Sequence, residues 1–360
     1  MRGSSGSFMK NMENLYQHGG NIYEIKRREQ ASVLDFSANI NPLGIPSRIN
    51  KLLNRQLKDL VHYPDTKAHH LVAALERYWK VKEENVLVGN GSTELIYLIL
   101  NAFRPDKVIL PIPSFTEYER AARIEASQVR FIHMLEGEGF CLNFDQINNC
   151  DMLFICNPNN PTGNLIVNNR ADIKNIPVKR IVIDEAFMDF VPNEKIYTFI
   201  PEAVRSKKII VLRTLTKFFA LPGLRIGYLI AHRDIIRILK GYQMPWSVNV
   251  LAQAAAEQCL SEEAFIQRSK QFITKERAFL YERLGRIRGL KPYSSVVNFL
   301  LVKIIDRRFT SSCLKEQLLK KGILIRDCAN FRGLDKRFIR VAVRSHKENI
   351  QLVQALERCV

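Results

Sequence analysis

KKIIVLRTLTKFFALPGLRIGY, residues 207–228, joins an apolar run to a lysine and then to a Pro-Gly turn. The largely β-branched run 209–212 predicts a buried strand. Hydroxyl side chains follow it at Thr214 and Thr216, and Lys217 comes next. A lysine at the end of a buried strand, between threonines and Arg225, suits an amine that forms a Schiff base beside a bound phosphate. Taken alone, however, Lys217 is better explained as an exposed loop residue, because lysine is mostly found at the surface.

Strand and helix patterns alternate on both sides of this stretch. Amphipathic segments such as residues 115–126 lie between several short apolar runs. The runs predict strands at residues 86–88, 107–110, 129–133, 151–156, 180–184, 208–213 and 226–231. Such alternation predicts an α/β fold with a mostly parallel sheet and helices on both faces. Ligands of such sheets bind at the carboxyl ends of the strands.

The 360 residues predict an arm and two lobes. Residues 1–45 are polar with little periodicity and are interpreted as an extended N-terminal arm that covers a cleft. The first eight of them are typical of an expression-tag remnant, which would place the natural start at Met9 or Met12. Residues 46–250 are predicted to form the large domain. The remainder, residues 251–360, changes to a long helical region with shorter strands and predicts a small C-terminal domain.

The net charge of +18 is the most unusual feature of the composition. It fits either nucleic acid or an anionic small substrate. Because the basic residues are spread along the chain without a recognition helix, we expect no nucleic-acid partner. No apolar run is long enough for a membrane span, and no signal peptide is visible. The seven cysteines are scattered without a C-x-x-C pair, which favours a reducing cytoplasm and argues against a metal site.

A glycine-rich turn at residues 89–94, GNGSTE, joins one predicted strand to a helix. Glycines let the backbone approach a ligand, and the free N–H groups of a helix start favour a phosphate. The turn differs from a dinucleotide fingerprint, since Glu94 replaces the third glycine, and no Gly-Lys-Ser/Thr follows as in a P-loop. A tight turn with a helix cap would explain the same residues.

Two further polar residues stand where predicted strands end. Asn157 opens NPNNPTG, residues 157–163, a loop made rigid by two prolines. Asp184 closes the strand at residues 180–184, where a buried carboxylate is costly unless a cation pairs with it. A protonated pyridine nitrogen would be such a cation, and so would a neighbouring arginine.

Together these pieces resemble the fold-type-I pyridoxal-phosphate enzymes, the aspartate aminotransferase superfamily. The resemblance covers nearly the whole chain after the first dozen residues. Its motifs stand in the family order: Gly91-Ser92, Asn157-Pro158, Asp184-Glu185-Ala186, Thr214-Leu215-Thr216-Lys217 and Pro222-Gly223-Leu224-Arg225. The resemblance implies a large domain with a mostly parallel seven-stranded sheet, a small C-terminal α/β domain, and pyridoxal 5'-phosphate as cofactor.

The same resemblance assigns roles around the cofactor. Lys217 would hold it as a Schiff base, and Asp184 would pair with its ring nitrogen. Asn157 would hydrogen-bond the ring hydroxyl, and Phe115 would stack on the ring. Tyr63 would reach the phosphate from a second subunit, which implies a homodimer. The residues expected to surround the phosphate on the same subunit are Gly91, Ser92, Thr93, Thr214, Thr216 and Arg225.

Two branches of the superfamily act on phosphorylated amino compounds, the histidinol-phosphate aminotransferases and the threonine-phosphate decarboxylases. Three features favour the decarboxylase branch. The arm carries HGGN at residues 18–21 and DFSANINPLG at residues 35–44. Phe187 stands where the aminotransferases usually have a tyrosine. Residues 324–330 and 339–344 are similar to C-terminal motifs of the decarboxylases.

On this resemblance, Arg340 would bind the substrate carboxylate, while His18 and Arg326 would bind its phosphate. The arginine fork suits both anions. Asn157 would contact the substrate as well as the cofactor. Arg344 falls on the same strand face as Arg340 if that strand is regular, but we leave it out of the predicted site.

The predicted reaction is decarboxylation of L-threonine O-3-phosphate to (R)-1-amino-2-propanol O-2-phosphate, a linker for the nucleotide loop of cobamides. Two alternatives stay open. One is decarboxylation of L-serine O-phosphate to ethanolamine phosphate, and the other is histidinol-phosphate aminotransferase activity. The two phosphoamino acids differ by one methyl group, which is worth only about 1–3 kcal/mol of discrimination.

Overall fold

The computed structural model describes residues 18–29, 33–173 and 175–360. Residues 1–17, with the predicted expression-tag remnant and both candidate starts, lie outside the described residues. Within the described part of the chain, no helix is both long enough and apolar enough to cross a membrane.

The arm is only partly extended. Helix α1 spans Ile22–Glu29, and strand β1 follows at Leu34–Asp35. The sequence predicts an extended arm without a helix, so α1 corrects that expectation. Its two isoleucines, three residues apart, form an apolar face of a single turn, too short to stand out in a polar segment.

The large lobe is organised around one seven-stranded sheet. Its strands are β2 Val86–Gly89, β3 Lys107–Ile112, β4 Gln128–His133, β5 Cys150–Cys156, β6 Val178–Asp184, β7 Ile209–Thr214 and β8 Gly227–Ala231. They are ordered β2-β8-β7-β6-β5-β3-β4, and β8 alone among them runs against the rest. The predicted mostly parallel seven-stranded sheet is therefore confirmed.

Helices cover both faces of this sheet. They are α2 Ser47–Gln56, α3 His69–Trp79, α4 Gly91–Phe103, α5 Glu117–Ile124, α6 Glu194–Tyr197, α7 Ile200–Arg205, α8 Arg233–Tyr242 and α9 Val250–Cys259. Strand β7 has an apolar sequence because both of its faces are buried. Ile209 and Val211 belong to the hydrophobic cluster on one face of the sheet, and Ile210 and Leu212 belong to the cluster on the other face. Burial on both faces requires a continuous apolar run.

The small lobe combines an antiparallel sheet with three helices. The sheet is ordered β12-β13-β10-β9. Its elements, with strand β11, are α10 Glu263–Gly285, β9 Leu290–Pro292, β10 Phe299–Ile304, α11 Ser311–Leu319, β11 Ile323–Leu324, β12 Arg326–Asp327, β13 Phe338–Ala342 and α12 His346–Glu357. The predicted small α/β lobe is confirmed. The predicted boundary after residue 250 stays a prediction, although α9 packs on α2 and α3 of the large lobe.

Strand β1 belongs to the small lobe rather than to a free arm. It pairs in parallel with β11, with Leu34 opposite Ile323. The amide of Ala342 donates to the carbonyl of Phe36 over 2.8 Å, which extends the attachment beyond the strand. The segment after β1 is thereby fixed at the border between the two lobes.

Candidate active site

A cavity of about 430 Å³ opens at the carboxyl ends of β6 and β7, between the two lobes. This is the edge at which parallel α/β sheets bind ligands. The predicted site residues that line it are His18, Ser92, Thr93, Phe115, Asp184, Thr214, Thr216, Lys217, Arg225, Arg326 and Arg340. Residues from the arm, the large lobe and the small lobe thus meet in one space.

Asp184 ends β6 at the floor of the cavity and is only 3 % exposed. Its Oδ2 accepts a hydrogen bond from the Tyr118 hydroxyl over 2.7 Å, and its Oδ1 accepts one from the Ala186 amide over 2.9 Å. Burial raises the pKa of this carboxyl, and these hydrogen bonds and the Lys217 charge oppose the rise. No arginine among the described residues pairs with Asp184, since Arg213 bonds Glu185 instead.

Lys217 faces the same cavity three residues after β7 ends. Burial lowers the pKa of its ammonium to about 8, and the positive charges of Arg225 and Arg340 act in the same direction. Asp184 has the opposite effect. A lysine with this pKa is partly neutral near pH 7, so its amine is available as a nucleophile.

An anion cradle lies at the start of α4. Gly91 has a φ of +81°, and a Cβ at this position would lie 2.7 Å from Nη2 of Arg225. Any larger residue would therefore displace the guanidinium. Ser92 and Thr93 follow at the helix N-terminus, where free N–H groups favour a phosphate. Across the cradle, the hydroxyls of Thr214 and Thr216 lie 2.9 Å apart, and both residues face the cavity.

Asn157 does not reach the cavity, which corrects the predicted contact with cofactor and substrate. It is 0 % exposed, and its Nδ2 donates to the Val167 carbonyl over 2.8 Å. Its Oδ1 accepts from the Ile166 amide over 2.9 Å. Asn160, three residues later in the same loop, lines the cavity instead and accepts a hydrogen bond from Arg340. The motif holds three asparagines in four residues, and only the fold decides which of them faces the ligand.

Asn157 and Asn160 are expected to respond differently to truncation. Asn157→Ala leaves the buried Ile166 N–H and Val167 C=O unpaired, so we expect the free energy of unfolding to fall by about 2 kcal/mol. Asn160→Ala is expected to leave stability close to wild type and to weaken ligand binding, seen as a raised KM. Urea unfolding and steady-state kinetics on both variants measure this. The reverse pattern would contradict the assignment.

Phe115 lies in the cavity wall and is held by other aromatic rings. Its centroid is 5.5 Å from the Tyr118 ring, which it meets edge to face, and 5.6 Å from the His18 ring. An aromatic ring in the wall of this cavity fits the predicted stacking on a planar cofactor.

Arg340 is a buried cation of the site that is hydrogen-bonded to the arm. It is 5 % exposed on β13, and its Nη2 donates to the Ser37 carbonyl over 2.9 Å. Its Nε has no hydrogen-bond partner, and among the described residues no carboxylate forms an ion pair with it. Burial lowers the pKa of its guanidinium to about 10. A buried charge without a counter-ion is strongly unfavourable, so this arginine is suited to an incoming anion.

Arg326 stands directly opposite Arg340 in the β12–β13 pair. Its guanidinium donates to Asn330 over 2.7 Å and lies 5.1 Å from the centre of the Phe331 ring. Like charges facing each other across a sheet are destabilising unless an anion intervenes. His18 joins them in the cavity wall, with its Nε2 2.8 Å from a carboxylate oxygen of Glu117. The predicted phosphate and carboxylate residues are thus close neighbours.

The residues of the site that the sequence did not reveal include Asn39, Glu117, Tyr118 and Asn160. Asn39 is 5 % exposed in the cavity wall, and its Oδ1 has no partner among the described residues. Its position within DFSANINPLG was a usable signal. Glu117 and Tyr118 carried no such signal, because their partners His18 and Asp184 are far away in sequence.

Tyr63 and Arg344, also considered from the sequence, lie outside the cavity wall as well. Tyr63 is 81 % exposed and packs on Trp246, with ring centroids 4.9 Å apart. Its predicted role at the site of a second subunit stays a prediction. Arg344 bonds the Asp35 carbonyl over 3.0 Å and Glu348 over 2.7 Å, so it ties the arm and α12 together.

The residues present fit pyridoxal 5'-phosphate. The cavity offers a buried carboxylate, without an ion pair among the described residues, for a ring nitrogen and a lysine of lowered pKa for an aldehyde. It also offers an anion cradle at a helix start and an aromatic ring in the wall.

Comparisons with known proteins identify a family and several relatives of this chain. Residues 31–356 match the family described as aminotransferase class I and II. The threonine-phosphate decarboxylase of Salmonella typhimurium is 39% identical over 94% of this chain and 95% of its own length. The crystal structure of L-threonine-O-3-phosphate decarboxylase from Porphyromonas gingivalis superposes with a TM-score of 0.81 at 30% identity, covering 90% of this chain and 98% of that one. The histidinol-phosphate aminotransferase from Clostridium acetobutylicum gives 0.83 at 34% identity, with 91% and 100% covered.

Proposed function

Because the chain belongs to the class I and II aminotransferase family, we propose that it is a pyridoxal-phosphate-dependent decarboxylase. Its substrate is L-threonine O-3-phosphate, and its products are (R)-1-amino-2-propanol O-2-phosphate and CO₂. The amino alcohol phosphate serves as the linker of the cobamide nucleotide loop. The similarity to the Salmonella typhimurium decarboxylase over nearly the full length of both chains supports this choice.

One observation carries the proposal: two buried arginines, Arg326 and Arg340, face each other across β12 and β13 in the cavity wall. A phosphoamino acid has two anionic ends close together and matches this pair. Histidinol phosphate carries a phosphate but no carboxylate, so it offers an anion of only one kind to this pair of arginines.

One set of residues binds the cofactor, and another set binds the substrate. When bound, pyridoxal phosphate supplies an electron sink conjugated to the substrate Cα. Lys217 is the covalent anchor of the cofactor, and Asp184 holds a proton on its ring nitrogen. The helix start at Ser92, with Arg225 and Thr216, binds the cofactor phosphate.

Binding at both ends of the substrate selects the bond that breaks. Arg340 binds the carboxylate, while Arg326 and His18 bind the phosphate. With both ends fixed, rotation about Cα is restricted, and the bond to the carboxylate is held in the orientation for cleavage. The energy gained by binding the substrate phosphate thereby helps to position the bond that breaks at Cα. Lys217 Nζ then delivers a proton to Cα after CO₂ has left.

Phe187 gives this wall of the cavity an apolar surface. It is buried edge to face against Phe299, with centroids 5.0 Å apart. A tyrosine here would bring a hydroxyl next to the cofactor, as expected in the aminotransferase branch. The phenylalanine favours the decarboxylase.

The deciding experiment supplies purified protein and pyridoxal phosphate with phosphothreonine, phosphoserine, or histidinol phosphate with 2-oxoglutarate. We expect CO₂ from phosphothreonine and no consumption of 2-oxoglutarate. Release of CO₂ from phosphoserine alone would favour ethanolamine phosphate as product. Consumption of 2-oxoglutarate with histidinol phosphate, without CO₂ from either phosphoamino acid, would replace the proposal by the aminotransferase.

The pH dependence of cofactor loading follows from the lowered pKa of Lys217. Its neutral amine is the reactive form, so loading of the cofactor-free protein should accelerate about tenfold per pH unit below pH 8 and level off above it. A lysine of ordinary pKa would show this rise up to about pH 10. Stopped-flow absorbance between pH 7 and pH 10 distinguishes the two.

The proposal includes a homodimer in the cytoplasm. Tyr63 and its neighbour Trp246 are both exposed on the large lobe, where a second subunit would cover them. In such a dimer, Tyr63 reaches the cofactor phosphate of the neighbouring site.

A further inference from the structure

We propose that Tyr118 is a positioning residue for Asp184: its hydroxyl holds one carboxylate oxygen so that the aspartate presents a fixed, charged group to the cofactor ring nitrogen. This inference rests on the cofactor part of the proposed function and is independent of the substrate. It adds a residue of helix α5 to the cofactor site.

The contact between the two residues is short and buried. The Tyr118 hydroxyl lies 2.7 Å from Oδ2 of Asp184, and both side chains are almost inaccessible to water. The other oxygen, Oδ1, accepts the Ala186 amide. Each oxygen therefore has one donor from the protein, and a carboxylate has further lone pairs for the ring nitrogen.

The tyrosine ring is fixed before any ligand binds. It stacks on Phe154 of β5, with centroids 5.1 Å apart and planes inclined by 20°. Phe115 meets it edge to face on the other side. A ring held by two aromatic neighbours keeps its hydroxyl aimed at Asp184, so little rotational freedom is lost when the cofactor arrives.

The donor is a neutral hydroxyl, which holds Asp184 without cancelling its charge. A guanidinium in this place would compete with the ring nitrogen for the carboxylate. Arg213, fully buried at the end of the neighbouring strand, is instead engaged by Glu185 over 2.9 Å and by Asp189 over 2.8 Å. Arg213 is thereby neutralised by these two carboxylates and does not compete for Asp184.

The pKa shifts of the groups around Asp184 indicate which of these groups carry a proton. Burial and the nearby Asp184 raise the pKa of the Tyr118 hydroxyl well above its ordinary value, so it stays a donor. Burial raises the pKa of the Cys156 thiol to about 12, so the thiol stays neutral. Lys217 is the cation that faces Asp184 from the end of β7. Without the tyrosine hydroxyl, burial would favour the protonated acid, which pairs poorly with a cation.

Tyr118→Phe removes this donor, together with the contact of the hydroxyl with the Cys156 thiol. We expect the dissociation constant for pyridoxal phosphate to rise at least tenfold, since the lost hydrogen bond is to a charged group. The visible absorbance of the loaded protein should titrate at a different pH from wild type. Tyr293→Phe is the matched control, because its hydroxyl also donates to a carboxylate, Glu136, outside the cavity. It should bind the cofactor as wild type does.

A double-mutant cycle separates positioning from packing. In an Asp184→Asn background, Tyr118→Phe should change the dissociation constant less than twofold, because the carboxylate that it positions is gone. An equal loss in both backgrounds would show a merely structural role and overturn the proposal. A wild-type dissociation constant and pH titration for Tyr118→Phe would overturn it as well.

Two outcomes need separate readings. If Tyr118→Phe loses its native circular dichroism, a protein with 3-fluorotyrosine at position 118 is used in place of this variant. Its phenol is more acidic, so the pH at which the cofactor absorbance titrates should shift. An unchanged titration would overturn the proposal. These measurements need no substrate. A protein that binds pyridoxal phosphate tightly but releases no CO₂ from phosphothreonine refutes the proposed reaction and leaves the role of Tyr118 to be decided by the cycle.

Discussion

Lys217→Ala is expected to release CO₂ from phosphothreonine at no more than about a thousandth of the wild-type rate. On the proposed function, the variant loses the covalent anchor of the cofactor and the amine that would return a proton to Cα. Positioned acid–base groups alone contribute about 10²–10⁴-fold to enzymatic rates. The measurement is CO₂ release at saturating cofactor and substrate, together with the visible absorbance of the protein.

Lys179→Ala is the control for this result, because Lys179 is an exposed lysine on β6 that pairs with Asp151 away from the cavity. It should keep both absorbance and activity. If Lys217→Ala retained the visible band of wild type and its rate of CO₂ release, the assignment of the anchoring lysine would be wrong.

Arg340→Ala is expected to lower kcat/KM for phosphothreonine by about 100-fold or more. The guanidinium is buried, and its Nε has no partner among the described residues, so on the proposed function the substrate carboxylate would supply its anion. Removing one partner of a buried charge pair costs about 2–5 kcal/mol, which corresponds to this range. Cofactor binding should change much less, because Lys217, Asp184 and the phosphate cradle stay in place. Steady-state kinetics and cofactor titration measure the two effects separately.

Arg344→Ala offers a matched comparison four residues along the chain. Arg344 bonds Asp35 and Glu348 rather than facing the cavity, so its loss should reduce stability and leave kcat/KM within a few-fold of wild type. Equal kinetic losses for Arg340→Ala and Arg344→Ala would contradict a direct role of Arg340 at the substrate.

The large sheet is predictable from the sequence because its strands are buried on both faces. Residues 209–212 read as a continuous apolar run for this reason, and so do the other central strands. Lys217 and Asp184 are recognisable as candidates because each follows such a run, at the edge where ligands bind. Helix α1 lacked both signals, since it is short, polar and dependent on its neighbours.

Pairings between distant residues are beyond such reasoning. The hydrogen bond from Tyr118 to Asp184 spans 66 residues, and neither residue carries a mark of it in the sequence. Whether Asn157 or Asn160 lines the cavity depends on which of their two side chains forms hydrogen bonds with the loop that follows. Only the folded structure shows that the carboxamide oxygen of Asn39 is buried without a partner among the described residues.

The pairing of β1 with β11 sets an order for maturation during synthesis on the ribosome. Leu34 emerges early, yet its partner Ile323 is translated almost three hundred residues later. The Ser37 carbonyl likewise receives its hydrogen bond from Arg340 only after that residue has been translated. The sheet of the large lobe can assemble meanwhile, since domains generally fold as units. A nascent chain therefore contains Lys217, the proposed cofactor lysine, well before Arg326 and Arg340, the arginines proposed to bind the substrate.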